Sequence, residues 1–232
     1  LFPNFSARLR DETGIDNGYR VCGGIEWLAP DEESLTRDWA AEGIAFERLS
    51  PCSLSYLEAE VGTPTGTPFH FSNMAQVRNP WHVRALRAAC ERHGVAVEAA
   101  NAVEAFDIDG DRIMAIRLRN GDRHVADQFV LSAGAWTDVL LAPLGVKLGV
   151  RPVRGQMVLY RSAAPSIQRV LLHGKRYLVP REDGRTLVGS TEEPEAGFTK
   201  ANTPAGIAEL TAFAGEMVPL LAETPVEMTW SG

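Results

Sequence analysis

The chain has 232 residues, 45% of them hydrophobic and 23% charged. This is an ordinary globular composition, long enough for one large domain or two lobes around a sizeable core, and it excludes a disordered or low-complexity chain. The formal net charge of −7 argues against nucleic acid, whose phosphates need a basic face.

No apolar run approaches the roughly 20 residues that span a bilayer, and no signal peptide opens the chain, so a cytoplasmic location is expected. Cys22, Cys52 and Cys90 are odd in number and far apart, with no CxxC or Cys/His grouping. They read as reduced, largely buried thiols, and no metal is expected. Leu1 rather than Met opens the chain, Leu1 to Leu9 already reads as structured sequence, and the chain stops inside an apolar strand pattern at Trp230-Ser231-Gly232. Both ends suggest a piece of a longer protein.

In chain order, Phe2, Phe5 and Leu9 recur at helical spacing, with Gly14 able to end the helix. Tyr19 to Leu28 reads as a strand kinked at Gly23-Gly24. Asp31 can cap a helix that carries Leu35 and Trp39 and stops at Gly43. Residues 50–75, punctuated by Pro51, Gly62, Pro64, Gly66 and Pro68, read mostly as loop. Asn79 and Pro80 start a helix with Val83, Leu86 and Cys90 on its buried stripe, and Gly94 lies just past its end.

Val95 to Val97 starts a strand, and Val103 to Leu131 reads as three more, joined by turns at Asp109-Gly110 and Asn120-Gly121. The apolar run Phe129-Val130-Leu131 ends in Ser132-Ala133-Gly134-Ala135-Trp136, the pattern of a buried strand whose end lets the backbone approach something closely. Strands follow at Val150–Tyr160, Val170–His173, Tyr177–Val179 and Thr186–Ser190. Thr203-Pro204 opens a helix with Ile207, Leu210, Ala214 and Met217 on one face, and Val226 to Trp230 reads as a last strand.

Taken in order, the Asn79-Pro80 helix, the meander, Ser132 to Trp136, Arg151-Pro152-Val153-Arg154-Gly155-Gln156, Tyr177-Leu178-Val179-Pro180-Arg181, Val188-Gly189-Ser190-Thr191, the 203–221 helix and Trp230-Ser231-Gly232 form one series. The chain resembles the D-amino-acid oxidase-like FAD-dependent oxidoreductases, and within them the glycine oxidase, sarcosine oxidase and D-amino-acid dehydrogenase branch. The resemblance covers nearly everything from about residue 76 onward. It implies an α+β (α/β) fold: part of an FAD-binding Rossmann-like lobe with an antiparallel meander, plus a substrate lobe built on a mixed or antiparallel sheet with flanking helices. The expected division is 1–75, a substrate-lobe or cap segment; 76–149, a partial FAD-binding lobe; and 150–232, the substrate-binding lobe. The GxGxxG turn that cradles the FAD pyrophosphate in such proteins is nowhere in the chain, so this piece alone is expected to hold FAD weakly or not at all and to be inactive.

The resemblance implies oxidation of the C–N bond of a small amine or amino acid, with FAD as cofactor and a homo-oligomer left open. For the cofactor it points to Val103, Ser132, Ala133, Gly134 and Trp136. Gly134 reads either as a close approach to a nucleotide or as a plain strand-end turn. Trp136 packs on the cofactor or anchors a core. On the substrate side the catalytic candidates are Tyr177, whose hydroxyl could orient a carboxylate or amine, with Lys175 two residues earlier on the same expected face, and Glu192 after Val-Gly-Ser-Thr. Arg154 reads as structural, an arginine in a strand that needs a partner. The alternatives are a folded lobe that does not retain FAD and a glycerol-3-phosphate dehydrogenase-like flavoenzyme.

Overall fold

The computed structural model describes residues 2–232; Leu1, part of the apolar pattern noted above, lies outside the described residues. In chain order the elements are α1 (Phe2–Thr13), β1 (Arg20–Val21), β2 (Gly24–Leu28), α2 (Leu35–Ala41), β3 (Glu47–Arg48), α3 (Pro51–Leu57), β4 (Thr67–Phe71), β5 (Ala75–Gln76) and α4 (Asn79–Arg92). Then come β6 (Val103–Asp109), β7 (Arg112–Leu118), β8 (Arg123–His124), α5 (Thr137–Leu141), β9 (Gln156–Arg161), β10 (Val170–His173), β11 (Arg176–Pro180), β12 (Arg185–Gly189), α6 (Pro204–Met217) and β13 (Val226–Ser231). Among the described residues no helix is long and apolar enough to cross a membrane. The chain forms two compact units: residues 1–86 with 154–193 and 199–232, and residues 87–153 with 194–198.

The first unit is built on an eight-stranded sheet in the order β13-β9-β12-β11-β10-β2-β4-β3. All its pairs are antiparallel except β10 with β2. Successive side chains in a strand point to opposite faces, and one face is closed. Val158 and Tyr160 of β9, Leu171 of β10, Leu178 of β11 and Val188 of β12 are buried against Leu210, Phe213, Ala214 and Met217 of α6. Each large apolar side chain taken fully out of water contributes roughly 1.5–3 kcal/mol, so this layer dominates the unit's stability. α6 starts where the sequence signals it: the Thr203 hydroxyl accepts the Gly206 N–H at 3.1 Å, and Pro204 occupies the first turn.

Residues 50–75 hold more order than the proline and glycine punctuation suggests. Ser50 caps α3, accepting the Ser53 N–H at 3.1 Å, and Pro51 sits in the first turn, where proline starts helices rather than breaking them. Leu54 and Leu57 of α3 pack on the closed face. β4 contains Pro68, which is tolerated because the two-residue β3 leaves most of that edge without a ladder partner. Asp31 does not cap α2; a turn precedes that helix, and the Glu32 carboxylate there accepts the Ala29 N–H at 3.0 Å. On α4 the buried residues are Ala85 and Ala89, whereas Val83 is 61% exposed; the small alanines carry the contact stripe that the larger valine was expected to carry.

The second unit contains the expected meander, β6-β7-β8, turned by Gly110 and Gly121 at φ +60° and +93°. Residues 95–97 form no strand. Neither does the run Phe129–Leu131: Val130 is 90% exposed, and no strand among the described residues pairs with it. A buried strand of the kind expected there needs neighbours on its edges and cover on its faces, and the meander pairs only with itself.

Candidate functional site

The second face of the eight-stranded sheet is open. The alternation that buries Val158, Leu178 and Val188 turns Met157, Leu159, Tyr177, Val179 and Leu187 the other way. They floor a cavity of about 790 Å³, with Met228 and Trp230 of β13 on one side. Gln76, Arg78 and Arg181 give the same cavity a polar end. An apolar floor with a few polar groups at one end suits a flat or small organic ligand oriented by its polar part.

Tyr177 stands on this floor, its hydroxyl 3.8 Å from the Met157 sulfur. Gly189 lies opposite it in the ladder. A Cβ on Gly189 would come within 3.0 Å of the Tyr177 hydroxyl and press on the Met157 thioether, so the glycine gives the phenol its place.

Lys175 and Glu192 are not on this floor. They pair with one another and line a separate hollow of about 610 Å³ with Trp27, His173 and Arg176. The expectation that Lys175 shares the face of Tyr177 is corrected. Gly174 (φ +57°) and Lys175 form the tight turn between β10 and β11, and strand alternation does not run through a turn. Their side chains are 76% and 49% exposed, so the pair adds little to stability.

Arg154 is structural, through partners the sequence did not reveal. It pairs with Glu193, and Gln156, fully buried, ties the cluster together. The Gln156 amide donates to Glu193 at 2.6 Å and to the Thr203 hydroxyl at 2.9 Å, while its oxygen accepts the Thr203 N–H at 2.7 Å. The Thr191 hydroxyl, then the Arg154 guanidinium and the Gln156 amide, hold the Glu193 carboxyl down at about 2. This network joins the start of β9, the 191–193 turn and the cap of α6.

Glu58 was also missed. It is 4% exposed and accepts N–H bonds from Gln168 at 3.0 Å and Arg169 at 2.7 Å, besides pairing with the Arg169 guanidinium. Burial pushes its carboxyl up, against the opposing pull of those donors. A glutamate at the end of a helix within a loop-like stretch carries no signal of such a role in sequence.

In the second unit, Val103 opens β6 opposite Leu118. Ser132 is exposed, Ala133 is half-buried, and Gly134 adopts φ +52° at the start of a short 3₁₀ turn ending at Trp136. Nothing lies within 4 Å of the position a Cβ on Gly134 would take. Trp136 is 51% exposed and stacks on Phe198, with ring centroids 5.2 Å apart. The Cβ position of Gly134 is therefore clear of protein atoms, while Trp136 at the end of the turn is held by Phe198.

The family described as FAD dependent oxidoreductase matches residues 3–232. The chain belongs to this family. Glycine oxidase of Pseudomonas aeruginosa is 35% identical over 234 residues, which cover 100% of this chain and 64% of that protein. The bifunctional protein ThiO/ThiG of Trichormus variabilis is 30% identical over 239 residues, 35% of its length. Among solved structures, glycine oxidase from Geobacillus kaustophilus superposes with a TM-score of 0.92 at 26% identity, over 100% of this chain and 64% of its own. The chain thus spans about 64% of the length of these glycine oxidases. The mixed sheet with flanking helices expected for the family is the one observed. Taken separately, the first unit offers an apolar floor of a breadth compatible with a flat ring, and the second unit leaves the Cβ position of Gly134 clear.

Proposed function

We propose that the complete protein carrying this chain is an FAD-dependent oxidoreductase that oxidises the C–N bond of a small amine or amino acid, of the glycine, sarcosine or D-amino-acid type. The observation that carries the reading is the open, apolar-floored sheet face bearing Tyr177 in a family whose members are FAD dependent. The relatives named glycine oxidase support an amine substrate.

When bound, FAD supplies the hydride acceptor, and the protein's part is binding, orientation and exclusion of competing reactions. In the second unit, Ser132, Ala133 and Gly134 would offer backbone and small side chains to the nucleotide, Trp136 its indole face, and Val103 its main chain. In the first unit, Met157, Leu159, Val179 and Leu187 would exclude water from the reacting carbon. The Tyr177 hydroxyl would donate to the substrate carboxylate or accept from its amine. Holding the α C–H in one orientation removes much of the entropic barrier to transfer. Such chemistry asks for little acid–base machinery, which accords with a floor that holds a phenol and with a cavity whose lining carboxylate, Glu227, is paired with Arg185.

The test is a panel of glycine, sarcosine and D-alanine presented to the complete protein with added FAD, following ammonia or methylamine release together with peroxide formation or dye reduction. Turnover of at least one amine is expected. Bound FAD with no amine turned over would remove the substrate class. Absence of flavin absorbance at saturating FAD would favour a lobe that does not retain the cofactor.

A further inference from the structure

Three guanidiniums converge at one end of the first unit. Arg20, Arg78 and Arg181 line, with Gln76 and Trp81, a cavity of about 360 Å³. Three carboxylates line it too, and each is engaged. Asp16 accepts the Gly18 N–H at 2.7 Å. Glu182 pairs with Arg20 at 3.1 Å. Asp183 is shared between Arg78 at 3.4 Å and Arg185 at 3.0 Å. Arg78 further lies over the Trp81 ring, 3.8 Å from its centroid.

Arg181 differs from its neighbours. Its Nη1 donates to Gln76 Oε1 at 2.6 Å, and among the described residues no carboxylate forms an ion pair with it. Burial, and after it the nearby charge of Arg78, pushes its guanidinium down from the usual range, offset in part by Asp183. A half-buried guanidinium crowded by like charge and held by one neutral amide lacks the anion that its planar fork of donors fits.

We propose that this cavity binds a small oxyanion, a carboxylate or a phosphate, with Arg181 as the anchoring cation, Gln76 holding the fork in place and Arg78 at its flank. Arg181 lies just past the end of β11, four residues after Tyr177 and roughly 13 Å along the chain. Gln76, Arg78 and Arg181 also form the polar end of the open-face cavity, so the oxyanion would sit at that end, beyond the floor that carries Tyr177. The proposal deepens the reading of that cavity, and because it is tested by binding without turnover, its failure and the failure of the redox reading are distinguishable.

Calorimetric titration of the protein at low ionic strength with sodium phosphate, and separately with sodium acetate, tests it. Saturable binding of one of the two, competed by added chloride, is expected, and the stronger ligand identifies the source. Arg181→Gln should weaken it about tenfold or more, whereas Lys175→Gln, a cation in the other hollow, should leave it unchanged. No saturable binding of either anion to the wild type, or equal binding by Arg181→Gln, overturns the proposal. Should Arg181→Gln fail to melt cooperatively, Arg181→Lys, which keeps the charge and loses the fork, carries the test. It should bind more weakly than wild type, and unchanged affinity overturns the proposal.

Discussion

The two faces of the eight-stranded sheet are made by the same strands from the same apolar vocabulary, and they meet different fates. Leu178 is fully buried under α6, while Tyr177 and Val179, its immediate neighbours in sequence, line an open cavity. Valine and leucine occur on both faces, so hydrophobicity alone does not distinguish a core from a site. The distinction comes from what covers each face. α6 and α3 close one; no element of the described residues closes the other. An apolar face left open at this size marks a place for a ligand or another surface.

Substitutions that treat the two faces alike should have unlike effects. Leu178→Ala should cost about 2–5 kcal/mol in urea denaturation, by lost burial and a residual cavity, whereas Val179→Ala should cost less than about 1 kcal/mol. Equal losses at the two positions would erase the contrast. Glu58→Ala should cost about 2–4 kcal/mol, since it strips the Gln168 and Arg169 N–H groups and the Arg169 guanidinium of their buried acceptor. Glu58→Gln, which keeps an acceptor oxygen, should cost less, and a Gln variant as unstable as Ala would show that the charge itself is essential.

On the open face, Tyr177→Phe should leave the melting temperature nearly unchanged and lower kcat/KM for the preferred amine about tenfold, the worth of one hydrogen bond to a charged group. A smaller effect is expected from acid. The folded Glu193 carboxyl sits at about 2, against an ordinary value of 4.5. Its contribution is therefore present above about pH 4.5 and is lost as pH falls toward 2. Melting curves of Glu193→Gln should be flatter than those of wild type across that range, and parallel curves would contradict the network described here. Least of all, Lys175→Gln should change stability by less than about 1 kcal/mol.

Where element, alternation and cap are encoded locally, the sequence was sufficient. The α6 cap at Thr203-Pro204, the stripe from Leu210 to Met217, and the turns at Asp109-Gly110 and Asn120-Gly121 all rest on contacts within a few residues. The strands that build both sheet faces were legible for the same reason. Non-local partners were not legible. Lys175 was read with strand alternation that the Gly174 turn interrupts. The run at Phe129–Leu131 has the composition of a buried strand and lies exposed, because composition states what a segment can pair with and not whether a partner is at hand. Glu58 and Glu193 act through N–H groups and guanidiniums far away in sequence, or through a buried amide, and no spacing announces them.

The central claim is that the open face of the first unit borders the reaction. Leu187 lies on its floor between Leu159 and Val179. The decisive measurement is kcat/KM of Leu187→Glu for the preferred amine, in the complete protein with saturating FAD, beside its melting temperature. A loss of a hundredfold or so with melting preserved is the result the account predicts. Turnover equal to wild type, with a charge planted in the middle of that floor, would contradict it.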